Sequence, residues 1–468
     1  MNREKNLAKN TLMLMIGKMC TQCVNFFMLP LYTAVLSTEE YGTADLIIAY
    51  ISLLLPIVGL QLEQGLFRFL LDERENITNS KSLFSSVIFV NLIQIALFVL
   101  VFLPVNKLIG SAYSGYLLVL VPLQLLQATV LQYSRGVNRT DIYTIASFLT
   151  AFVQVLSNVV LIGLIRIGLI GLFLSMVIAS SVCVIFVGIA LKVWKSFAPS
   201  SISISEIKKV AMYSIPLIPN QLAWWIVNAS DRIIVSNFIG SGANGIYSIA
   251  CKFSALYITF YNYFNMSWTE SVSLAINDSD RDRYINEMIK SFFCLIACLA
   301  LGIIAVMPFF FPVMINKNYG DAYYQIPILM VAVFFQALQG LYSAIYVALK
   351  MTKEIAKTSI FSAIINIVID VVLIKKIGLY AASFSTLIAF MSMAIFRYVD
   401  IQKYVKIKID IKTIMETVVV SLIVVCAYYS QLFLVQLIAL VIITAFSLQK
   451  NKKMLLAIVR GIKSKLYK

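Results

Sequence analysis

Apolar runs of about 20 residues recur from one end of the chain to the other, with short polar joints between them. A helix of that length crosses the ~30 Å hydrocarbon core of a bilayer. The pattern predicts fourteen spans, at about 11–36, 43–70, 83–103, 113–133, 141–165, 168–193, 211–239, 245–273, 287–312, 324–349, 355–374, 378–399, 411–429 and 431–449. Only Ser430 to Leu432, "SQL", separates the last two. The longest internal joint, Trp194 to Val210, is rich in Ser and contains Pro199. Its Ser203-x-x-Glu206 has the spacing of a capping box that opens the next helix. The polar start, Met1 to Asn10, leads into a run too long for a signal-peptide core and without a small-residue cleavage site, so that run reads as the first span. The end, "LQKNKKMLLAIVRGIKSKLYK", alternates basic and apolar residues and reads as a helix lying on the inner leaflet.

Composition agrees with the pattern. The 468 residues are 60% hydrophobic and 13% charged, against about 45–50% and about 25% in soluble chains. The net charge of +16 would point to nucleic acid in a soluble protein. Here the basic residues lie between the apolar runs, so they report topology and contact with anionic lipid. With the N-terminus placed in the cytoplasm, thirty of the 38 Lys and Arg fall on the inner side. Lys107, Arg166, Lys317, Lys375 and Lys376 fall outside, and Lys18, Arg232 and Lys252 lie within spans. This bias assigns both termini to the cytoplasm. The chain has no His, which removes the commonest general base and metal ligand. All seven Cys lie in apolar segments. Cys20-x-x-Cys23 has no second ligand pair, so no metal site follows.

Transporters are often built from repeats. The stretch "AVLSTEEYGTADLI" from Ala34 aligns with "NFIGSGANGIYSIA" from Asn237 at an offset of 203, placing Gly42 on Gly245 and Leu46 on Ile249. The offset maps spans 1 and 2 onto spans 7 and 8 with orientation kept. The expected architecture is an all-α integral membrane protein: an N-terminal lobe (1–195, spans 1–6), a cytoplasmic linker (196–210), a pseudo-symmetric six-helix C-terminal lobe (211–400), spans 13 and 14 (401–449) and a basic amphipathic tail (450–468).

At 100° per residue, polar side chains gather into stripes. Lys18, Gln22 and Asn25 share a face of span 1; Asp45, Ser52 and Glu63 one of span 2; Asn220, Trp224, Asn228 and Asp231 one of span 7, with Arg232 at its edge; Lys252, Thr259, Tyr263 and Glu270 one of span 8. Polar stripes face a bundle interior or a water-filled cavity, since lipid-facing placement is costly. Some members have a simpler role open to them. Arg68 and Glu270 lie at cytoplasmic helix ends, Asp45 lies where a carboxylate suits a helix N-terminus, and Asp370 could pair with Lys375.

The fourteen spans, the two six-span halves, the "KNTLMLMIGK" start, the "LSTEEYG" loop and "DRIIVSNFIG" followed by "GIYSIA" resemble the polysaccharide-transporter branch of the multidrug/oligosaccharidyl-lipid/polysaccharide (MOP) flippase superfamily, above all the O-antigen flippase (Wzx-like) type. The resemblance implies movement of an undecaprenyl-diphosphate-linked oligosaccharide, an O-antigen or capsule repeat unit, from the inner to the outer leaflet of the bacterial cytoplasmic membrane. It implies two lobes whose spans 1, 2, 7 and 8 line a cationic cavity, the four spans that the stripes single out. Lys18, Lys252, Arg232 and Arg68 are then the candidates for the diphosphate, and the other stripe residues for sugars or a coupling ion. No cofactor is expected. H+ or Na+ coupling and the membrane potential are candidate energy sources, with Asp231, Glu63 and Asp45 as candidate carriers. Expected partners are the lipid-linked sugar, membrane lipids, and polysaccharide polymerase and chain-length proteins.

Two rivals stay open. A cation-coupled multidrug antiporter of the same superfamily would favour carboxylates in its cavity. A polysaccharide polymerase or ligase would need a catalytic outer loop, and the outer joints are short.

Overall fold

The structure, a computed structural model, describes residues 26–73, 76–109, 113–408 and 410–466. Every regular element among them is helical. The chain folds as two compact units that part after Gly245.

The first unit holds α1 (Leu29–Val35), α2 (Thr38–Val58), α3 (Leu62–Asp72), α4 (Ile77–Ile109), α5 (Gly115–Gly136), α6 (Thr140–Asn158), α7 (Gly168–Ala190), α8 (Ile204–Ser214), α9 (Ile218–Phe238) and the first turn of α10 (Ser241–Ala275). The second holds the rest of α10, then α11 (Arg281–Met314), α12 (Ala322–Ala348), α13 (Thr352–Ile377), α14 (Tyr380–Ile401), α15 (Ile411–Ser430) and α16 (Phe433–Leu466). Many large apolar side chains face outward, Leu100 at 69% exposure and Val313 at 81% among them. In water such a surface would aggregate; in a bilayer it meets its own solvent.

Ten of the described helices are long and apolar enough to cross a membrane. Three more, α9, α10 and α13, have 21, 35 and 26 residues but fall outside that set. They carry Asp231 and Arg232, Lys252, and Asp370 respectively, so their composition is too polar for a helix that meets lipid all round. Most of the expected first span lies outside the described residues.

Three local expectations are corrected. Span 2 is not one helix: α2 ends at Val58 and α3 begins at Leu62. The Ser203 capping box does not form, because the Ser203 side chain accepts no backbone bond. Instead the Ser203 N–H donates to Ser86 Oγ at 3.0 Å, and Ser82 and Ser85 of α4 bond the same joint. A capping box does form at Ser37, whose side chain accepts from Glu40 N while Glu40 accepts from Ser37 N. Span 7 begins later than 211, since Pro216 interrupts the path from α8 to α9 with a 3-10 turn. The last helix, α16, runs unbroken through the joint with the basic tail.

The two glycines that the repeat matches touch each other. A Cβ on Gly42 would lie 1.8 Å from Ser241 O and 2.7 Å from Gly245 N, and one on Gly245 would lie 2.1 Å from Thr38 O. Asn244 Nδ2 donates to Gly42 O at 2.8 Å. The first turns of α2 and α10 therefore cross backbone to backbone, which only residues without side chains permit.

Candidate functional site

In the first unit, α9 packs along α2 and is tied to it by two polar rungs. Arg232 Nε lies 2.7 Å from Asp45 Oδ2. Trp225 Nε1 donates to Ala49 O and Ser52 Oγ, both at 3.0 Å. The rungs are seven residues apart on each helix and run in opposite directions, so the helices are antiparallel with one face of each in register. Asp45 is 5% exposed and the Arg232 side chain 22%. The aspartate thus does not cap its helix, which Ser37 does, but neutralises a half-buried guanidinium. Asp231, one position before the arginine, is buried at 4%.

The other face of α9 is more open. Asn220 and Asn228 are exposed and Trp224 is half-buried. Asn228 Nδ2 donates to Trp224 O at 2.7 Å, and Arg232 Nη1 to Asn228 O at 3.4 Å, so the arginine also braces its own helix.

The break in span 2 is a strained turn. Leu60 and Gln61 both adopt left-handed backbone, at φ 50° and 55°, a conformation that costs an L-residue roughly 1–2 kcal/mol. Pro56 removes one hydrogen bond just before it. Glu63, 9% exposed, follows in the first turn of α3, where the helix dipole favours a carboxylate. Discontinuous helices of this kind build binding sites within transporters. Arg68, further along α3, stands on an exposed face paired with Asp72 at 2.8 Å.

In the second unit, Lys252, Thr259 and Tyr263 of α10 are half-buried and Glu270 is exposed. Thr259 Oγ1 turns back to Ala255 O at 2.8 Å. Two further clusters lie here, of which the sequence had singled out Asp370 alone, as a partner for Lys375. Asp370 and Asn366 of α13 are fully buried, with Asn366 Nδ2 3.3 Å from Ser385 Oγ and 3.4 Å from Thr386 Oγ1 of α14. Arg397 of α14, counted as a loop charge, is also fully buried. Its donors reach Thr358 Oγ1 at 2.9 Å, Ile355 O at 3.2 Å and Ser359 Oγ at 3.3 Å, together with Gln339 Oε1 and Ser343 Oγ. All five acceptors are neutral, so this arginine binds α12, α13 and α14 together without a carboxylate. Its "FRYVD" context, one turn before an apolar run ends, gave no sign of burial.

Lys18, Gln22 and Asn25 lie outside the described residues, as does Cys20-x-x-Cys23. Among the described residues no group of three His, Cys, Asp or Glu could hold a metal ion. The polar clusters are suited to binding and to carrying charge, and the described ones lie within helices.

Residues 7–269 match the family described as polysaccharide biosynthesis protein, more than half of the chain. Among solved structures, the lipid II flippase MurJ in an inward closed conformation is similar with a TM-score of 0.69 and 17% identity, over 94% of this chain and 99% of that one. A multidrug resistance MATE family transporter of the MOP superfamily, in an inward-facing conformation, is similar with a TM-score of 0.68 and 14% identity, over 81% of this chain and 93% of that one. No curated protein sequence matches. At these identities the structural likeness concerns the fold. The chain is a multi-pass membrane protein that belongs to the polysaccharide biosynthesis protein family and has the fold of MOP-superfamily transporters.

Proposed function

We propose that this protein is a flippase that moves a polyprenyl-diphosphate-linked oligosaccharide, an O-antigen or capsule repeat unit on undecaprenyl diphosphate, from the inner to the outer leaflet of the bacterial cytoplasmic membrane by alternating access. The observation that carries this reading is the family match, which ties a transporter fold to polysaccharide synthesis. No covalent chemistry is required of the chain. A lipid diphosphate cannot cross hydrocarbon with its charge uncompensated, so the protein must offer cations and polar walls. Lys18 and Lys252 would meet the diphosphate. Arg232 is engaged by Asp45 and would act by holding α9 in place. Exposed Asn220 and Asn228 would offer hydrogen bonds to sugars. An inside-negative potential drives an anion outward by about 2.3 kcal/mol per charge per 100 mV. Coupling to H+ or Na+ would use a buried carboxylate, and Asp370 joins Asp231 and Glu63 as a candidate. Polymerase and chain-length proteins would act on the product.

The second reading is a cation-coupled multidrug antiporter, favoured by the buried carboxylates Glu63, Asp231 and Asp370 and the fold shared with a MATE transporter. One experiment separates the two. Cells carrying Lys18→Gln with Lys252→Gln are expected to lose surface polysaccharide while the protein stays at normal level in the membrane, and efflux of a cationic dye is expected to be unchanged. Normal polysaccharide with impaired dye efflux would select the antiporter.

A further inference from the structure

The joint between α14 and α15 is a built strap. Gln402 closes it by donating from Nε2 to Ile407 O at 2.9 Å and accepting from Ile407 N at 3.1 Å. From α11, Asn286 donates to Lys406 O at 2.9 Å and accepts from Lys408 N at 2.6 Å. Arg281 Nη2 adds a bond to Tyr404 O at 3.2 Å. So held, the strap alternates: Val405 and Ile407 are buried, and Lys406 and Lys408 are exposed. Behind it lies a cavity of about 200 Å³ walled by Phe293, Phe335, Leu338 and Ile414. The pocket is open on one side and its walls are mostly apolar, a shape that an acyl chain can enter. The charged members of the wall are Lys290, Lys408 and Asp410, and Thr413 with the hydroxyl-bearing Tyr342 and Tyr398 completes its polar part. Lys290 is ion-paired with Asp410, and among the described residues Lys408 has no ion-pair partner. The trio therefore carries one positive charge beside an apolar hole.

We infer that this pocket is a binding site for an anionic phospholipid of the cytoplasmic leaflet, with one acyl chain in the cavity and the phosphodiester on Lys408 and Lys290. A phosphodiester carries one negative charge, which matches the trio. A zwitterionic headgroup brings no net charge to compensate the free lysine. The location fits as well, since the strap carries Lys403, Lys406 and Lys408 with Lys412 just beyond, and such basic density marks the cytoplasmic side. The site lies in the second unit alone and is separate from the residues proposed to meet the transported lipid.

The test uses the full chain in nanodiscs doped with phosphatidylglycerol or phosphatidylcholine bearing a diazirine on one acyl chain, with labelled residues read by mass spectrometry. Phosphatidylglycerol is expected to label the walls on α11, α12 and α15 at least about fivefold more than phosphatidylcholine, the effect of one basic residue near an anionic lipid. Lys408→Gln is expected to remove that preference and leave phosphatidylcholine labelling unchanged. Leu338→Trp, which fills the cavity, is expected to suppress both. Equal labelling by the two lipids in the unaltered protein overturns the inference. So does a preference that survives Lys408→Gln, an exposed change that leaves the fold intact should the tryptophan variant fail to fold. Labelling of these residues by a diazirine polyprenyl phosphate in place of phosphatidylglycerol also overturns it, since the occupant would then be the carrier lipid.

Discussion

Arg232 of α9 reaches across to α2 and holds its Nε 2.7 Å from Asp45 Oδ2, so two charges placed deep in an apolar chain cancel each other. Removing either partner breaks a largely buried ion pair, which costs up to about 3–5 kcal/mol. Asp45→Ala and Arg232→Ala should each lower the melting temperature and the yield of folded protein. The double variant Asp45→Leu with Arg232→Met should be more stable than either single change. Purely additive losses in the cycle of Asp45→Ala, Arg232→Ala and the two combined would show that the pair is not coupled.

The glycine crossing gives a second expectation. Gly42→Ala and Gly245→Ala would each push a Cβ into backbone atoms, at 1.8 Å and 2.1 Å, where no side chain can move aside. Both should abolish folded protein in the membrane. Gly188→Ala and Gly302→Ala meet nothing within 4 Å and lie inside helices, where alanine is favoured over glycine by roughly 0.5–1 kcal/mol. These two should fold as well as the parent or slightly better. Detergent extraction with size-exclusion chromatography reads the difference, and normal yields of Gly42→Ala would refute the crossing.

The strained turn in span 2 can be probed from both sides. Leu60→Gly and Gln61→Gly relieve left-handed backbone and should be neutral or stabilising by up to about 1 kcal/mol. Leu60→Pro demands a φ near −65° and should disrupt the break. If Leu60→Pro matched the parent in thermal stability, the turn would have to lie elsewhere.

Arg397 tests geometry against charge. Its planar fork meets five neutral oxygens on three helices, which the single nitrogen of lysine cannot reach. Arg397→Lys should therefore destabilise at least as much as Arg397→Met, which removes the buried charge altogether. A lysine variant as stable as the parent would contradict the network.

The all-helical membrane fold was legible in the sequence because bilayer length acts on every span. Gly42 and Gly245 stood out in the sequence through the alignment at an offset of 203, and their backbone contact explains why both are glycine. The side-chain partners were not. Helical angles set Asp45 and Arg232 on stripes of different spans, but only tertiary packing brings α2 and α9 into register. Trp224 was singled out on the stripe, yet its neighbour Trp225 makes the cross-helix bonds, a difference of 100° that depends on where α9 begins. Pro56 and Gly59 were visible in span 2, but apolar residues recur through Leu71 among Gln61, Glu63, Gln64 and Arg68, and that masked the break. Asp370 and Arg397 lay close to span ends, where periodicity does not distinguish a snorkelling charge from a buried one.

The central claim is that this chain carries a lipid-linked oligosaccharide across the membrane. The most direct measurement reconstitutes the purified protein into liposomes with a fluorescent polyprenyl-diphosphate oligosaccharide and follows quenching by an impermeant reductant. With protein present, nearly all of the fluorophore should become accessible from outside, whereas protein-free vesicles should stop near half. Loss of only the outer half in both preparations would contradict the claim.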